Sequence, residues 1–323
     1  MPTAAITGGT GFIGRHVVPL LLKRGYKVRA LVRPDSQKRT PREVETGSGD
    51  VTDLAAVESL VKNCEVVFHL AGQAHTDLKA SADRERAVAV NVGGSQNVFE
   101  SCRRHGVRRV IVASSAHVYA GQHGRNLTET APQKAENLYA QTKIEIEQLA
   151  REFSAKGLDI VVGRPCLTYG PNAGFNLLKL MRAIDRGLYF HVGNMAVERS
   201  FGSAYSAAAA FVFLAEKGTG GEAYNIGDRE PELLEDFTND LADRMKRRRP
   251  RSISYPLLWS AATGGSALSA VGLNVPITLA SLRKLTESFS ISVKKLAAAG
   301  FEWPDRGDCA RQDMVDAYLA GIR

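Results

Sequence analysis

Apolar residues in the first half of the chain fall into two rhythms. Short runs, most of them rich in Val and Ile, occur at Thr3–Thr7, Val28–Val32, Glu65–Leu70, Val107–Ala113 and Asp159–Gly163. Runs of this length and composition predict strands covered on both faces. Between them, the spacing predicts helices over Ile13–Arg24, Leu54–Lys62, Arg84–His105 and Leu138–Lys156. Strand and helix in alternation imply an α/β fold, a doubly wound parallel sheet with helices on both faces. Beyond about Pro165 the alternation stops, Gly and Pro become frequent, and a shorter strand signal returns at Glu222–Ile226. The expected division is a sheet domain over 1–165, with chain returning at about 199–227, and a smaller, mostly C-terminal lobe from 166–198 and 228–323.

One segment breaks the mixture of charged and apolar residues. Ser252–Leu282 runs for 31 residues without a charge, long enough to raise a membrane question. Pro256, Gly264, Gly265, Gly272, Asn274 and Pro276 interrupt it, so it is read as buried helices of the second lobe. A membrane-touching or apolar-ligand surface is the alternative, and no transmembrane span is expected. Over all 323 residues, 24% charged and 44% hydrophobic residues fit a soluble globular chain and exclude a disordered one.

Lys and Arg exceed Asp and Glu by 42 to 34, a net +8 that raises the question of an anionic partner. Half of that excess sits in Asp240–Arg251, where Arg244, Lys246, Arg247, Arg248, Arg249 and Arg251 face only Asp240 and Asp243, leaving +4. No aromatics interleave with these cations, so nucleic acid is not expected. A solvated basic helix end is favoured over a substrate-phosphate or membrane-surface contact. Cys64, Cys102, Cys166 and Cys309 are scattered, without metal-ligand spacing, so no metal is expected. The opening residues show no signal peptide, and a reduced cytoplasmic setting is expected.

Candidate chemistry begins where the first strand ends. Thr7-Gly8-Gly9-Thr10-Gly11-Phe12-Ile13-Gly14 joins a predicted strand to a predicted helix. Gly8 suits the tight turn, Gly11 the approach of a pyrophosphate, and Gly14 close helix–strand packing, with free helix N–H groups for phosphate. Thr10, Phe12 and Ile13 complete this dinucleotide loop. The second strand ends at Val32-Arg33 rather than in the carboxylate that takes an unphosphorylated ribose. Arg33 therefore favours NADP over NAD, which stays open. Asp50 and Val51, after the next weak strand, are candidates for the adenine, with a turn or capping role open for Asp50. Tyr139 and Lys143 stand one helical turn apart, where an ammonium stabilises a phenolate. Ser114-Ser115 begins where the fifth strand ends, at the ligand crevice of such a sheet.

With these residues the chain resembles an extended short-chain dehydrogenase/reductase of the NAD-dependent epimerase/dehydratase type. Gly8, Gly11 and Gly14, His69-Leu70-Ala71-Gly72, Asn91, Ser114-Ser115, Tyr139 and Lys143 carry the resemblance, with Arg164-Pro165 through Tyr169-Gly170-Pro171 and Tyr224-Asn225-Ile226-Gly227. It covers roughly residues 1–230 well and the remainder loosely. It implies Tyr139 as the acid/base, Lys143 as its tuner and ribose ligand, Ser115 at the reacting oxygen, and Asn91 as a structural residue. Leu70, Ala71 and Pro165 would join the cofactor site, and a homodimer would form through the Arg84–His105 and Leu138–Lys156 helices. Ala116 and His117 stand where sugar-nucleotide dehydratases carry an Asp-Glu pair, which disfavours dehydration. His75, His117, Asn176 and Arg199 are the substrate candidates, Arg199 by its likeness to a diphosphate-binding arginine.

The leading expectation is an oxidoreductase or epimerase acting on a nucleotide sugar, leaning to net NADP-linked reduction. The alternatives are an NADP-dependent reductase or dehydrogenase of an apolar alcohol or ketone, similar to dihydroflavonol reductases or 3β-hydroxysteroid dehydrogenases, and a non-catalytic nucleotide sensor. The uncharged Ser252–Leu282 segment speaks for the apolar substrate, and Arg199 with Asn176 for the diphosphate.

Overall fold

The computed structural model describes residues 1–73, 81–270 and 278–321. Seven strands form one sheet: β1 (Thr3–Thr7), β2 (Lys27–Val32), β3 (Glu45–Ser48), β4 (Val66–His69), β5 (Arg109–Ala113), β6 (Ile160–Pro165) and β7 (Ala223–Ile226). All pair in parallel, in the order β7-β6-β5-β4-β1-β2-β3. The chain runs outward one way from β1 to β3 and the other way from β4 to β7. The carboxyl ends of β1 and β4 therefore frame the crevice where such sheets take their ligands.

Each face of the sheet is covered by helices whose apolar sides match it. On one face α1 (Gly14–Lys23) lies against a later helix, Ala204–Lys217, burying Val17, Val18, Leu21, Phe211 and Leu214. On the other face α2 (Leu54–Val61), α4 (Gly94–Arg104) and α5 (Leu138–Ala155) bury Val57, Leu60, Val98, Phe99, Ile146 and Phe153. Full burial of an aliphatic or aromatic side chain of this size contributes roughly 1.5–3 kcal/mol. The predicted helix over Arg84–His105 is α3 (Ser81–Val88), a π-helical turn at Ala89–Gly93, and then α4.

Beyond β6 a second core forms around Tyr169, Phe201, Phe237, Leu241 and Met314, with Phe201 stacked on Phe237 at 3.8 Å. It lies between α6 (Phe175–Asp185), α7 (the Ala204–Lys217 helix), α8 (Leu234–Arg244) and the C-terminal helix Gly307–Gly321. A small sheet joins Glu232–Leu233, Glu198–Arg199, Phe289–Ile291 and Gly124–Leu127. Two features differ from the expected division. Gly124–Leu127 leaves the first 165 residues to pair with Phe289–Ile291. Leu296 and Phe301, expected in the lobe, are buried in the core of the β-sheet, with Phe301 edge-on to Phe213 at 5.4 Å. These apolar residues return because the α7 side of the sheet still has surface to cover. Within the uncharged segment α9 (Tyr255–Ala270) forms a helix, and α10 (Leu279–Thr286) begins in it and ends beyond it. Among the described residues no helix is long and apolar enough to cross a membrane.

Candidate active site

The glycine turn after β1 is shaped by what lies behind it. Gly8 adopts φ +71°, and a Cβ there would lie 2.6 Å from the backbone of Leu70 and Ala71. A Cβ on Gly14 would collide with the Gly8 carbonyl oxygen, so α1 starts hard against the turn. No side chain caps the first turn of α1, and the N–H groups of Arg15, His16 and Val17 donate to the carbonyls of Gly11 and Ile13, so a phosphate would be met by the N–H groups of the turn just ahead of them. A turn with no room for side chains at Gly8 and Gly14, set at the start of a helix, fits the close approach of a dinucleotide pyrophosphate. Behind it, Thr7 Oγ1 lies 2.7 Å from His69 Nδ1, and His69 Nε2 lies 2.9 Å from Ser95 Oγ. Burial holds the His69 pKa down to about 3, so this imidazole is a neutral strut.

The π-helical turn has a local purpose. Asn91, buried within it, accepts from the Gln73 N–H at 2.7 Å and donates to the Gln73 carbonyl at 3.1 Å. Its amide also donates to Thr142 Oγ1 at 3.0 Å, in the helix of Tyr139 and Lys143. One side chain thereby ties the segment after β4 to α5, the structural role implied for it.

A cavity of about 340 Å³ opens over the carboxyl ends of the strands. Gly8, Gly11, Phe12, Ile13, Gly14, Leu70, Ser115, His117, Tyr139, Lys143, Pro165 and Asn176 line it, which brings together most of the candidates. Ser115 hydrogen-bonds Tyr139, which draws the phenol pKa down, while burial pushes it up more strongly. The net direction is upward, opposite to what the Tyr–Lys spacing suggests. The Lys143 ammonium lies 5.8 Å from the Tyr139 ring centroid and donates to the Ala113 carbonyl at 2.7 Å. Burial lowers the Lys143 pKa to about 8, and Glu147 opposes that shift. His117 stands edge-on to Tyr139 at 5.9 Å, with Nδ1 3.2 Å from Ser115 Oγ; burial lowers its pKa.

Ser114, the neighbour of Ser115, donates to Glu147 Oε1 at 2.5 Å. Glu147 in turn receives Arg164 through two bonds, Nε at 2.8 Å and Nη2 at 2.6 Å, with both side chains almost wholly buried. Arg164 Nη1 donates to the Glu129 carbonyl at 2.9 Å and to the Tyr119 hydroxyl, which donates to Asn225 Oδ1 at 3.0 Å. Asn225 Nδ2 donates to the carbonyls of Leu127 at 3.0 Å and Ser292 at 3.1 Å.

Other candidates lie elsewhere. Arg33 lines a second cavity, of about 540 Å³, at the ends of β2 and β3, together with Lys38, Arg39 and Arg42. Asp50 Oδ1 accepts from the N–H and hydroxyl of Thr52, a turn role. Val51 is buried against α4, where its carbonyl accepts from Asn97. The Ala71 N–H donates to Thr7 Oγ1 at 3.3 Å. Thr10 does not line the cavity. His75 lies outside the described residues. Arg199 requires a correction: it does not line the cavity, and its guanidinium donates to the carbonyls of Lys284 at 2.6 Å, Glu198 at 3.1 Å and Glu287. The bare carbonyls at the end of α10 claim this cation, as helix C-termini do. Leu167, Thr168 and Leu177, which no motif marks, also line the cavity beside Cys166. Their signal was the break in pattern after Arg164-Pro165. The Cys166 thiol is raised well above its usual pKa by burial, so it is an unreactive wall.

A family profile described as the NAD dependent epimerase/dehydratase family matches residues 4–227. A 3β-hydroxysteroid dehydrogenase/Δ5→4-isomerase of Mycobacterium tuberculosis is 30% identical over 281 residues, 81% of this chain and 75% of that one. A 4-hydroxy-2-methyl-3-oxo-4-farnesyl-3,4-dihydroquinoline-1-oxide ketoreductase of Stigmatella aurantiaca is 30% identical over 240 residues, 72% of this chain and 70% of that one. Among solved structures, a UDP-glucose 4-epimerase of Thermus thermophilus in complex with NAD superposes with a TM-score of 0.74 at 22% identity, covering 98% of this chain and 99% of that one.

Proposed function

The chain belongs to the NAD dependent epimerase/dehydratase family, and from that premise we propose that this enzyme is an NADP-linked oxidoreductase of an apolar secondary alcohol or ketone. The observation that carries the reading is the substrate end of the cavity. Leu167, Leu177, Cys166 and Thr168 line it, and Lys143 is the one Lys or Arg among its described lining residues. A diphosphate buried there would lack a guanidinium, because Arg199 is spent on helix carbonyls. The two relatives named for a steroid and for a farnesylated ketone agree with an apolar occupant.

Bound nicotinamide supplies the hydride, or accepts it in the reverse direction. Everything else falls to the side chains. In reduction, the Tyr139 phenol gives its proton to the carbonyl oxygen as that oxygen gains charge. Ser115 donates a hydrogen bond to the same oxygen and aligns it with Tyr139. The Lys143 ammonium balances the phenolate left behind, and the nearby Ala113 carbonyl holds the ammonium in place. His117 closes the wall beside both hydroxyls.

For NADP, the support is the basic cavity at the ends of β2 and β3, whose lining holds four cations and no carboxylate. Replacing Arg33 with Ser is expected to weaken NADP by about 10- to 100-fold and to leave NAD nearly unchanged, read from KM for each cofactor. The same reading includes a homodimer through the Arg84–His105 segment and α5, checked by light scattering. A reducing cytoplasm fits the four unpaired cysteines.

Asn176, at the first turn of α6 and facing the cavity, favours a second reading in which the substrate is a nucleotide sugar. The deciding experiment offers NADPH with a hydroxysteroid-derived ketone and a flavonoid ketone, and separately UDP-, GDP- and dTDP-sugars. Oxidation of NADPH by an apolar ketone alone is the expected result. Conversion of a UDP-hexose to its epimer without net change in cofactor would overturn the apolar reading.

A further inference from the structure

Ser115 has more partners than protons to give them. It heads the short 3₁₀ turn Ala116–Tyr119 and caps it, its Oγ accepting from the His117 N–H at 3.2 Å. The same oxygen lies 3.2 Å from His117 Nδ1 and is hydrogen-bonded to the Tyr139 hydroxyl. A serine hydroxyl offers one proton and two lone pairs. The backbone N–H takes one lone pair, so the proton goes either to Tyr139 or to the imidazole.

The two choices differ in chemistry. With its proton on Nε2, the neutral ring presents a bare Nδ1, which takes the serine proton and leaves none for a substrate oxygen. With its proton on Nδ1, the ring donates instead. Both lone pairs of Oγ are then filled, and the serine proton is free for the phenol oxygen or for a carbonyl. The bond from Ser115 draws the Tyr139 pKa down, the direction expected when serine is the donor. Nothing on the far side of the ring opposes that tautomer. His117 lines the cavity, and its Nε2 has no hydrogen-bond partner among the described residues, whereas both nitrogens of His69 are held. Burial lowers the His117 pKa, while Glu136 raises it and Lys284 lowers it, so near neutrality one ring nitrogen is bare.

We propose that His117 is a positioning residue: its Nδ1–H donates to Ser115 Oγ and turns the single serine proton toward Tyr139 and the substrate carbonyl. The inference rests on the carbonyl chemistry assigned to this site, and it holds for an apolar ketone and for a keto sugar alike. The carbonyl oxygen gains charge only as hydride arrives, so the effect of His117 belongs in kcat rather than in KM.

Two measurements test it, and the first needs no substrate. Nitrogen-15 NMR of the full chain, labelled at histidine and held at about pH 8, above the ordinary histidine pKa, reads which ring nitrogen carries the proton. Among the seven histidines, the signal of His117 is the one missing from His117→Asn. A proton on Nδ1 is expected, and a ring protonated mainly on Nε2 overturns the proposal. The second measurement is ketone reduction. His117→Phe keeps a ring and removes Nδ1, and it should lower kcat by about 10- to 100-fold with KM changed less than about threefold. Asn places an N–H donor where Nδ1 stood, so His117→Asn should return kcat to within about fivefold of the native enzyme. His117→Gln, with its amide one atom farther out, should not. Equal losses in His117→Asn and His117→Phe, or a loss confined to KM, overturn the proposal. If no ketone or keto sugar is reduced, the assigned function fails, and the tautomer still decides this inference.

Discussion

Tyr139 and Lys143 share one environment, and burial moves their pKa values in opposite directions, the phenol up and the ammonium down to about 8. Both shifts disfavour the charged forms, so the free enzyme holds a neutral phenol as its proton donor. Tyr139→Phe should lower turnover by about 10²- to 10⁴-fold while the thermal shift on adding NADP persists. For ketone reduction, kcat/KM should be level at low pH and fall as pH rises through about 8, where Lys143 loses its charge. Because Glu147 holds that pKa up, Glu147→Gln should move the fall to lower pH. The stability sign follows from the same shift. The unfolded chain keeps the Lys143 proton to about 10.5, so between about 8 and 10.5 this group makes stability rise with pH. Spacing made Ser115, Tyr139 and Lys143 legible in the sequence, because one helical turn and one strand end suffice to bring them together. Arg199 was misread because a motif names the cation but not the carbonyls that compete for it, which here belong to a helix some 85 residues onward in the chain.

At the level of elements, the catalytic helix α5 is anchored to the sheet by a charge pair. Glu147 and Arg164 are nearly inaccessible to water, and four neighbours, Ser114, Gln133, Glu129 and Tyr119, complete their hydrogen bonds. Removing one partner strands the other, so Arg164→Ala should cost about 3–5 kcal/mol in urea unfolding, far more than an exposed pair would. In the first half of the chain the buried strands and the helices α1, α2 and α5 stood out in the sequence within a residue or two of their ends, since a strand covered on both faces must be apolar throughout. β3 showed only as a weak strand ahead of Asp50, because Glu45–Ser48 is largely exposed at the sheet edge and its side chains carry no burial pattern. The π-helical turn at Ala89–Gly93 left no mark. It exists to aim Asn91, and no periodicity encodes a single extra residue.

At the scale of the whole molecule, the net charge of +8 resolves into local roles. Four cations line the β2–β3 cavity, and Lys246, Arg248 and Arg251, in the run ahead of α9, have no carboxylate partner among the described residues. The second cluster was plain in the sequence, but not which of its cations are neutralised, since Asp185 and Asp308 come from distant parts of the chain. The boundary between the two cores was the least legible feature, because the chain crosses it repeatedly. Asn225 shows what that crossing entails. It lies on β7, an edge strand, is fully buried, and bonds Leu127, Ser292 and Tyr119 at once, while its backbone N–H donates to Glu129 Oε1 at 2.8 Å. A joint held from three sides leaves no hinge there, so the two cores should melt in a single calorimetric transition. The Asn225 amide proton should then trade for deuterium only when the entire chain opens, and its exchange rate would measure the stability of the whole enzyme from one atom.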